Sequence, residues 1–278
     1  MIDNPGTVAF MLGYIFFLIF LIIFLARRSN IKENFPPRWI YYAFIVLAIG
    51  DSFHMFSRSI VYFTGISNEI AEKLAWQAFY AQPEVISLLG FGLAASSITI
   101  HLFYFLTYIY WRKSNAVRWN ASPGNEKRKT PTYIFVLDII AVMMTISHTI
   151  LVFMPENQWG APIEGLIIYR VFTNIPLYIM GIQTIIVLLM QNRVGGADSI
   201  PGFSPQERKM ARNMAYWMIF SYAMYSLTVF FTWVDPLFGM AMLPKTLAYM
   251  AMFYVFVKGS FVKNQKRYEM SFEKAVTS

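Results

Sequence analysis

The chain alternates between long apolar stretches and shorter polar segments. Seven stretches contain few or no charged residues, and each is close to or above the roughly 20 residues that a helix needs to cross the hydrocarbon core of a bilayer. They are residues 7–26, 39–63, 85–111, 133–154, 167–190, 214–234 and 243–261. The pattern predicts an all-α fold, a polytopic integral membrane bundle of seven transmembrane helices. We expect residues 1–278 to form this single domain, ending in a short cytoplasmic tail that begins near residue 263.

The positively charged residues predict how the bundle is oriented. They cluster after the first, third, fifth and seventh apolar stretches, whereas the opposite loops carry Lys73 and, at a membrane edge, Lys245. Because basic loops remain in the cytoplasm, we expect the N-terminus outside and the C-terminus in the cytoplasm of a multi-pass protein of the cell membrane. The clustered residues are Arg27, Arg28, Lys32, Arg38, Arg112, Lys113, Arg118, Lys127, Arg128, Lys129, Arg193, Arg208, Lys209, Arg212, Lys263, Lys266 and Arg267.

Composition narrows the classes of function. Hydrophobic residues make up 57% of the chain and charged residues 14%, well below the roughly 25% of a soluble domain, so the expected partner is the lipid bilayer. The net charge of +8 lies in loops beside the apolar stretches, which argues against a nucleic-acid partner. The absence of cysteine excludes disulfides, thiolate catalysis and cysteine-ligated metals. Neither a phosphate-binding loop nor a dinucleotide fingerprint is present, so no cofactor is expected.

One extracytoplasmic segment, residues 66–82, has the pattern of a short helix. Ser67 can cap its N-terminus, and Glu69 and Glu72 suit its first turn. We expect this helix to lie at the membrane interface.

The most informative polar residues are Asp51, His54 and Arg58 in the second stretch. At 100° per residue they fall within about 60° of one another on one helical face. Asp51 lies about 18 Å from Trp39 along that helix, near the bilayer centre, where a carboxylate costs several kcal/mol unless it is paired, hydrated or functional. We therefore interpret Asp51 as a catalytic acid or base, with His54 as its partner.

Other stretches supply residues for the same predicted site. With Arg58, they form a candidate ligand-binding set in which the cations would hold a phosphate or carboxylate. The remaining members are His101, His148, Arg170, Asn174, Tyr222 and Lys245. Two simpler interpretations stay open: the cations can extend to lipid headgroups, and the histidines can be interhelical hydrogen-bonding groups.

A metal site is not predicted from the histidines. No two of His54, His101 and His148 share a helical i, i+3 or i+4 spacing, and His101 is expected to lie deeper toward the cytoplasm than His148.

Three short motifs occur in order along the chain. The first is an early Gly-Asp motif that follows Pro36-Pro37, the second a Gly-Leu…His-x-x-Tyr helix, and the third the start of the last helix. They are Gly50-Asp51-Ser52-Phe53-His54-Met55, Gly92-Leu93-Ala94 with His101-Leu102-Phe103-Tyr104, and Pro244-Lys245-Thr246-Leu247-Ala248-Tyr249. Together these motifs resemble the YhhN family of membrane lysoplasmalogenases.

The resemblance implies a helical bundle that hydrolyses the vinyl ether of a lysophospholipid with two aspartates, of which Asp51 would be one. The second aspartate should follow a serine in the penultimate stretch, but here Ser221 is followed by Tyr222.

Two classes of function therefore remain open from the sequence. One is an intramembrane pocket for a lipid or amphiphile with lysoplasmalogenase-like hydrolysis. The other is a non-enzymatic seven-helix receptor or transporter for a small anionic or amphiphilic ligand. The sequence predicts no oligomeric state.

Overall fold

The regular secondary structure of the described residues is entirely helical. The computed structural model describes residues 5–28, 38–63, 83–120, 131–157, 159, 167–190, 205–231 and 234–258. Within these ranges there are seven α-helices, two short 3-10 helices and no strand. The α-helices are α1 (Pro5–Arg28), α2 (Arg38–Phe63), α3 (Pro83–Asn120), α4 (Thr132–Val152), α5 (Ile167–Met190), α6 (Pro205–Phe231) and α7 (Met242–Lys258). The 3-10 helices are η1 (Pro155–Asn157) and η2 (Pro236–Ala241).

Prolines mark several helix starts. Pro83 and Pro205 are the first residues of α3 and α6, where the missing backbone N–H would have no intrahelical partner in any case. Pro131 precedes α4, and its carbonyl accepts a hydrogen bond from the Ile134 amide at 2.9 Å. Pro176 lies inside α5 and removes one backbone donor from that helix.

Six of the described helices are long and apolar enough to cross a membrane. The qualifying segments are residues 38–60, 88–114, 132–152, 168–190, 208–231 and 238–257. In α1, the apolar segment Leu12–Leu25 is shorter than the others. The expected all-helical membrane fold is therefore supported for six spans, and the first span stays a prediction. The expected interfacial helix at residues 66–82 lies outside the described residues.

The chain divides into two compact units. The first contains residues 1–30, 41–103 and 145–177, and the second contains residues 31–40, 104–144 and 178–278. Aromatic packing forms the core of the first unit, where the Phe44 and Phe103 rings lie 5.4 Å apart and both are fully buried. In the second unit, the fully buried side chains include Tyr110, Leu188, Met218 and Phe256.

Side-chain hydrogen bonds connect the end of α4 with the first half of α5 in the first unit. The Trp159 indole donates to the Val152 carbonyl at 2.7 Å, and the Asn157 amide donates to the Leu151 carbonyl. Asn157 is itself buried and accepts a hydrogen bond from the Thr173 hydroxyl of α5 at 3.0 Å. The residues after α4 are therefore held by α5 as well as by α4.

Candidate functional site

Asp51 is buried and hydrogen-bonded from two other helices. Its side chain is 8% exposed. The Tyr14 hydroxyl of α1 donates to its Oδ2 at 2.7 Å, and the Ser96 hydroxyl of α3 donates to its Oδ1 at 3.3 Å. Asp51 is therefore buried against α1 and α3. The residue before it, Gly50, packs closely against Thr99 of α3, and a Cβ at this position would overlap the Thr99 side chain.

His54 and Arg58 share the Asp51 face of α2 but differ from it in burial. Asp51 is buried, His54 is half-buried and Arg58 is exposed. This stripe therefore becomes more accessible along the helix from its carboxylate to its guanidinium.

His101 and His148 form a stacked pair. Both side chains are 1% exposed, their ring centroids lie 4.6 Å apart and the rings are inclined by 14°. The prediction that His101 lies deeper than His148 does not fit this contact, which places the two rings side by side. Depth counted along separate helices does not include the offset between them.

The hydrogen bonds of the pair come from three helices. His148 Nδ1 lies 2.9 Å from the Thr173 carbonyl of α5. Its Nε2 lies 3.2 Å from the Ser97 hydroxyl and 3.2 Å from the Ser97 carbonyl of α3. His101 Nε2 lies 3.1 Å from the Thr145 hydroxyl of α4. The interhelical hydrogen-bonding role that the sequence left open is therefore present in the structure.

Arg170 and Asn174 lie on adjacent turns near the start of α5. The Asn174 amide donates to the Arg170 carbonyl at 2.7 Å, so part of its hydrogen-bonding capacity is used within the helix. The Arg170 guanidinium carbon lies 4.5 Å from the centroid of the Trp159 ring, which is a cation–π contact. Asn174 is buried and Arg170 is half-buried.

Tyr222 and Lys245 belong to a cluster of tyrosines in the second unit. The Tyr222 ring lies 5.0 Å from Tyr104 and 5.4 Å from Tyr178. Lys245 is 4% exposed, and its Nζ lies 4.2 Å from the centroid of the Tyr225 ring and 5.7 Å from that of Tyr249. A buried ammonium is therefore placed among aromatic faces.

The predicted site residues are divided between the two units. The first unit contains Asp51, His54, Arg58, His101, His148, Arg170 and Asn174, and the second contains Tyr222 and Lys245. That all nine line one pocket stays a prediction. Among the described residues, no group of three or more metal-ligating side chains comes together.

Sequence reasoning missed several partners of these residues. Tyr14, Ser96 and Thr145 each bind a predicted site residue through a hydroxyl group, and Thr173 binds His148 through its backbone carbonyl. Hydroxyl side chains are common in apolar helices and every residue has a carbonyl, so neither group carries a signal of its own.

A second polar group, which is half-buried, was missed as a group, although its members are visible in the sequence. Asp138 of α4 accepts hydrogen bonds from the Tyr108 hydroxyl at 2.7 Å and from Arg112 Nε at 3.0 Å. An aspartate inside an apolar stretch needs such partners, so the position of Asp138 in the sequence is itself a signal that they exist.

The fold and the buried polar groups together fit a helical, multi-pass integral membrane protein. Comparison with models of protein families, with curated proteins and with solved structures finds no match.

Proposed function

We propose that this chain is a seven-helix protein of the cell membrane, with its N-terminus outside, that binds a lysophospholipid or similar amphiphile and hydrolyses it in the manner of the YhhN lysoplasmalogenases. The observation that carries the proposal is Asp51, a carboxylate buried within an apolar helix and bound by hydroxyl groups from α1 and α3. Intramembrane carboxylates are costly and commonly mark functional sites.

Hydrolysis of a vinyl ether requires two groups. An acid protonates the alkene carbon and a base activates water, so that the ether opens to an aldehyde and an alcohol. Both Asp51 oxygens accept hydrogen bonds, which suits a carboxylate that acts as a base. His54 lies one turn further along α2 and is half-buried, so it can take the second role that the family assigns to an aspartate at the position of Tyr222.

Arg58 gives the proposed site a preference for an anionic headgroup. It lies seven residues after Asp51, or about 10 Å along the helix. Its exposed guanidinium can form bidentate hydrogen bonds with a phosphate. A lysophospholipid would thus place its phosphate near Arg58 and its ether bond nearer to Asp51.

A paired measurement tests this proposal. Asp51→Asn preserves the size and most hydrogen bonds of the side chain but cannot exchange a proton at physiological pH. We expect it to remain folded in detergent and to lose turnover of lysophospholipids, with the largest loss for vinyl-ether forms. The measurements are thermal stability and product release over a panel of ester, alkyl-ether and vinyl-ether lysophospholipids.

Asp138→Asn is the matched control, since it makes the same chemical change at a carboxylate outside the proposed site. Turnover should survive in this variant. If the wild type hydrolyses none of the panel, or if both variants lose activity in proportion to their stability, the hydrolase proposal is wrong.

One observation favours the alternative, a receptor or transporter for a small anionic or amphiphilic ligand. Lys245 places a buried ammonium beside Tyr225 and Tyr249, and cations in helical membrane segments commonly interact with ligands or ions. In this case the wild type should bind an anionic amphiphile without converting it. Lys245→Met, which keeps the side-chain length, should weaken that binding by at least tenfold, whereas Asp51→Asn should leave it within twofold.

A further inference from the structure

The stacked histidines have surroundings suited to more than one protonation state. Each ring nitrogen of His148 lies within hydrogen-bonding distance of a backbone carbonyl, that of Thr173 at Nδ1 and that of Ser97 at Nε2. A carbonyl can only accept, and a neutral imidazole carries a single N–H. The Ser97 hydroxyl lies beside the same Nε2 atom and can either donate or accept.

We propose that His101 and His148 form a binding site for one proton within the helices of the first unit. The ligand is a proton, and the site is the stacked pair together with Ser97, Thr145 and Thr173. The proposal goes beyond the proposed hydrolysis and does not depend on it, because Asp51 takes no part in it.

The neutral state of the pair is satisfied at His148. Its Nδ1–H donates to the Thr173 carbonyl, and its Nε2 lone pair accepts a hydrogen bond from the Ser97 hydroxyl. In this state Nε2 carries no hydrogen, so the His148 ring does not donate to the Ser97 carbonyl.

The state with one proton is satisfied as well. When Nε2 gains a proton, both N–H groups of His148 have a carbonyl acceptor, and the Ser97 hydroxyl can rotate away from the donating position. The neutral His101 ring then lies 4.6 Å from the imidazolium with its face toward the charge, which is a favourable cation–π arrangement. Both states can therefore form without a change in the helix positions.

His101 contributes a second basic atom. Its Nε2 is bonded to Thr145, while its buried Nδ1 has no hydrogen-bond partner among the described residues. This nitrogen is an alternative position for the same proton. Two protons are excluded, because two imidazolium charges stacked at this separation inside an apolar bundle would repel strongly.

The charged and titratable groups near the pair are engaged elsewhere and do not bind this proton in place of the two histidines. On α3 and α4 the groups that contact the two rings are the rings themselves and the neutral Ser97 and Thr145. On α5 Arg170 contacts Trp159, and on α2 Asp51 binds Tyr14 and Ser96. The other ionisable side chains of α2 are the half-buried His54 and the exposed Arg58.

The test is a titration of the full-length protein in lipid nanodiscs, labelled with ¹⁵N at histidine. The chain has three histidines, so His54→Gln, His101→Phe and His148→Gln suffice to assign every ring. Between pH 8 and pH 4 we expect the ¹⁵N signals of His101 and His148 to change together in a single step that corresponds to one proton for the pair. His54→Gln, the control, should leave this step unchanged.

Two variants sharpen the result. His101→Phe keeps an aromatic face beside His148 and should preserve the single step. Ser97→Ala removes the hydroxyl that donates to neutral His148 but keeps the carbonyl, so the step should move to higher pH. The wild-type titration alone decides the proposal if a variant does not fold: two separate steps, or neutral rings throughout the pH range, would overturn it.

Discussion

The Tyr14 hydroxyl donates a hydrogen bond of 2.7 Å to the Asp51 carboxylate, across 37 residues of sequence. This contact joins α1 to α2 through two buried side chains. It gives α1 a part in the candidate site, although the described apolar segment of α1 is shorter than those of the other helices.

Tyr14→Phe should destabilise the protein by about 1–2 kcal/mol, because the change removes one partner of a buried carboxylate and keeps the ring. The measurement is the free energy of unfolding in mixed micelles. In an Asp51→Asn background the loss should be smaller, since a neutral amide depends less on the hydroxyl. Equal losses in the two backgrounds would show that Tyr14 acts through packing alone.

The Arg112–Asp138 pair should contribute little on its own. The side chains are 23% and 33% exposed and lie toward the ends of the apolar segments 88–114 and 132–152. We expect water to reach and screen this 3.0 Å contact there, which gives a coupling energy of about 1 kcal/mol or less. A double-mutant cycle with Arg112→Gln and Asp138→Asn measures it. The coupling should fall when salt is raised. A coupling of several kcal/mol that does not respond to salt would contradict this expectation.

Gly181→Ala should be strongly unfavourable. A Cβ at this position would overlap the Tyr222 side chain, which is buried between Tyr104 and Tyr178 and cannot move without losing those contacts. The cost should be about 1–3 kcal/mol, the usual range for overpacking. Adding Tyr222→Leu should recover part of it. Gly13→Ala is the matched control, because its Cβ would meet nothing within 4 Å and its cost should be near zero.

The orientation predicted from the basic loops can be tested with reporters. A fusion after residue 270 should report a cytoplasmic location, and one inserted within residues 66–82 should report the opposite side. Protease treatment of intact cells provides an independent measurement. Cleavage of the C-terminus in sealed cells would reverse the proposed topology.

The helices were largely predictable from hydrophobicity, and the differences have a common cause. The predicted stretch 167–190 agrees with α5 at both ends, and 39–63 differs from α2 by one residue. By contrast, α3 continues to Asn120, nine residues beyond the end of its predicted apolar stretch. Likewise, α6 begins at Pro205, nine residues before the start of its predicted stretch. Hydrophobicity marks where a helix meets lipid, whereas polar residues such as Arg112 and Arg208 extend the same helix beyond it.

The candidate site was predictable only within single helices. Helical periodicity placed Asp51, His54 and Arg58 on one face, and the burial of Asp51 agrees with that placement. The stacking of His101 on His148 depends on how α3 and α4 pack, and residues 47 apart have no periodic relationship that could reveal it. The role of Tyr14 could not be predicted for the same reason, because its hydroxyl binds Asp51 of a different helix, α2.

The ties between α4 and α5 have a mechanical consequence. Trp159 holds the last turn of α4, Arg170 of α5 lies over Trp159, and Asn157 connects the carbonyl of Leu151 with the hydroxyl of Thr173. A force that pulls one of these helices out of the bilayer is therefore carried to the other by side chains as well as by the chain itself. The two helices should leave the membrane together, as a single helical hairpin, in one extraction event.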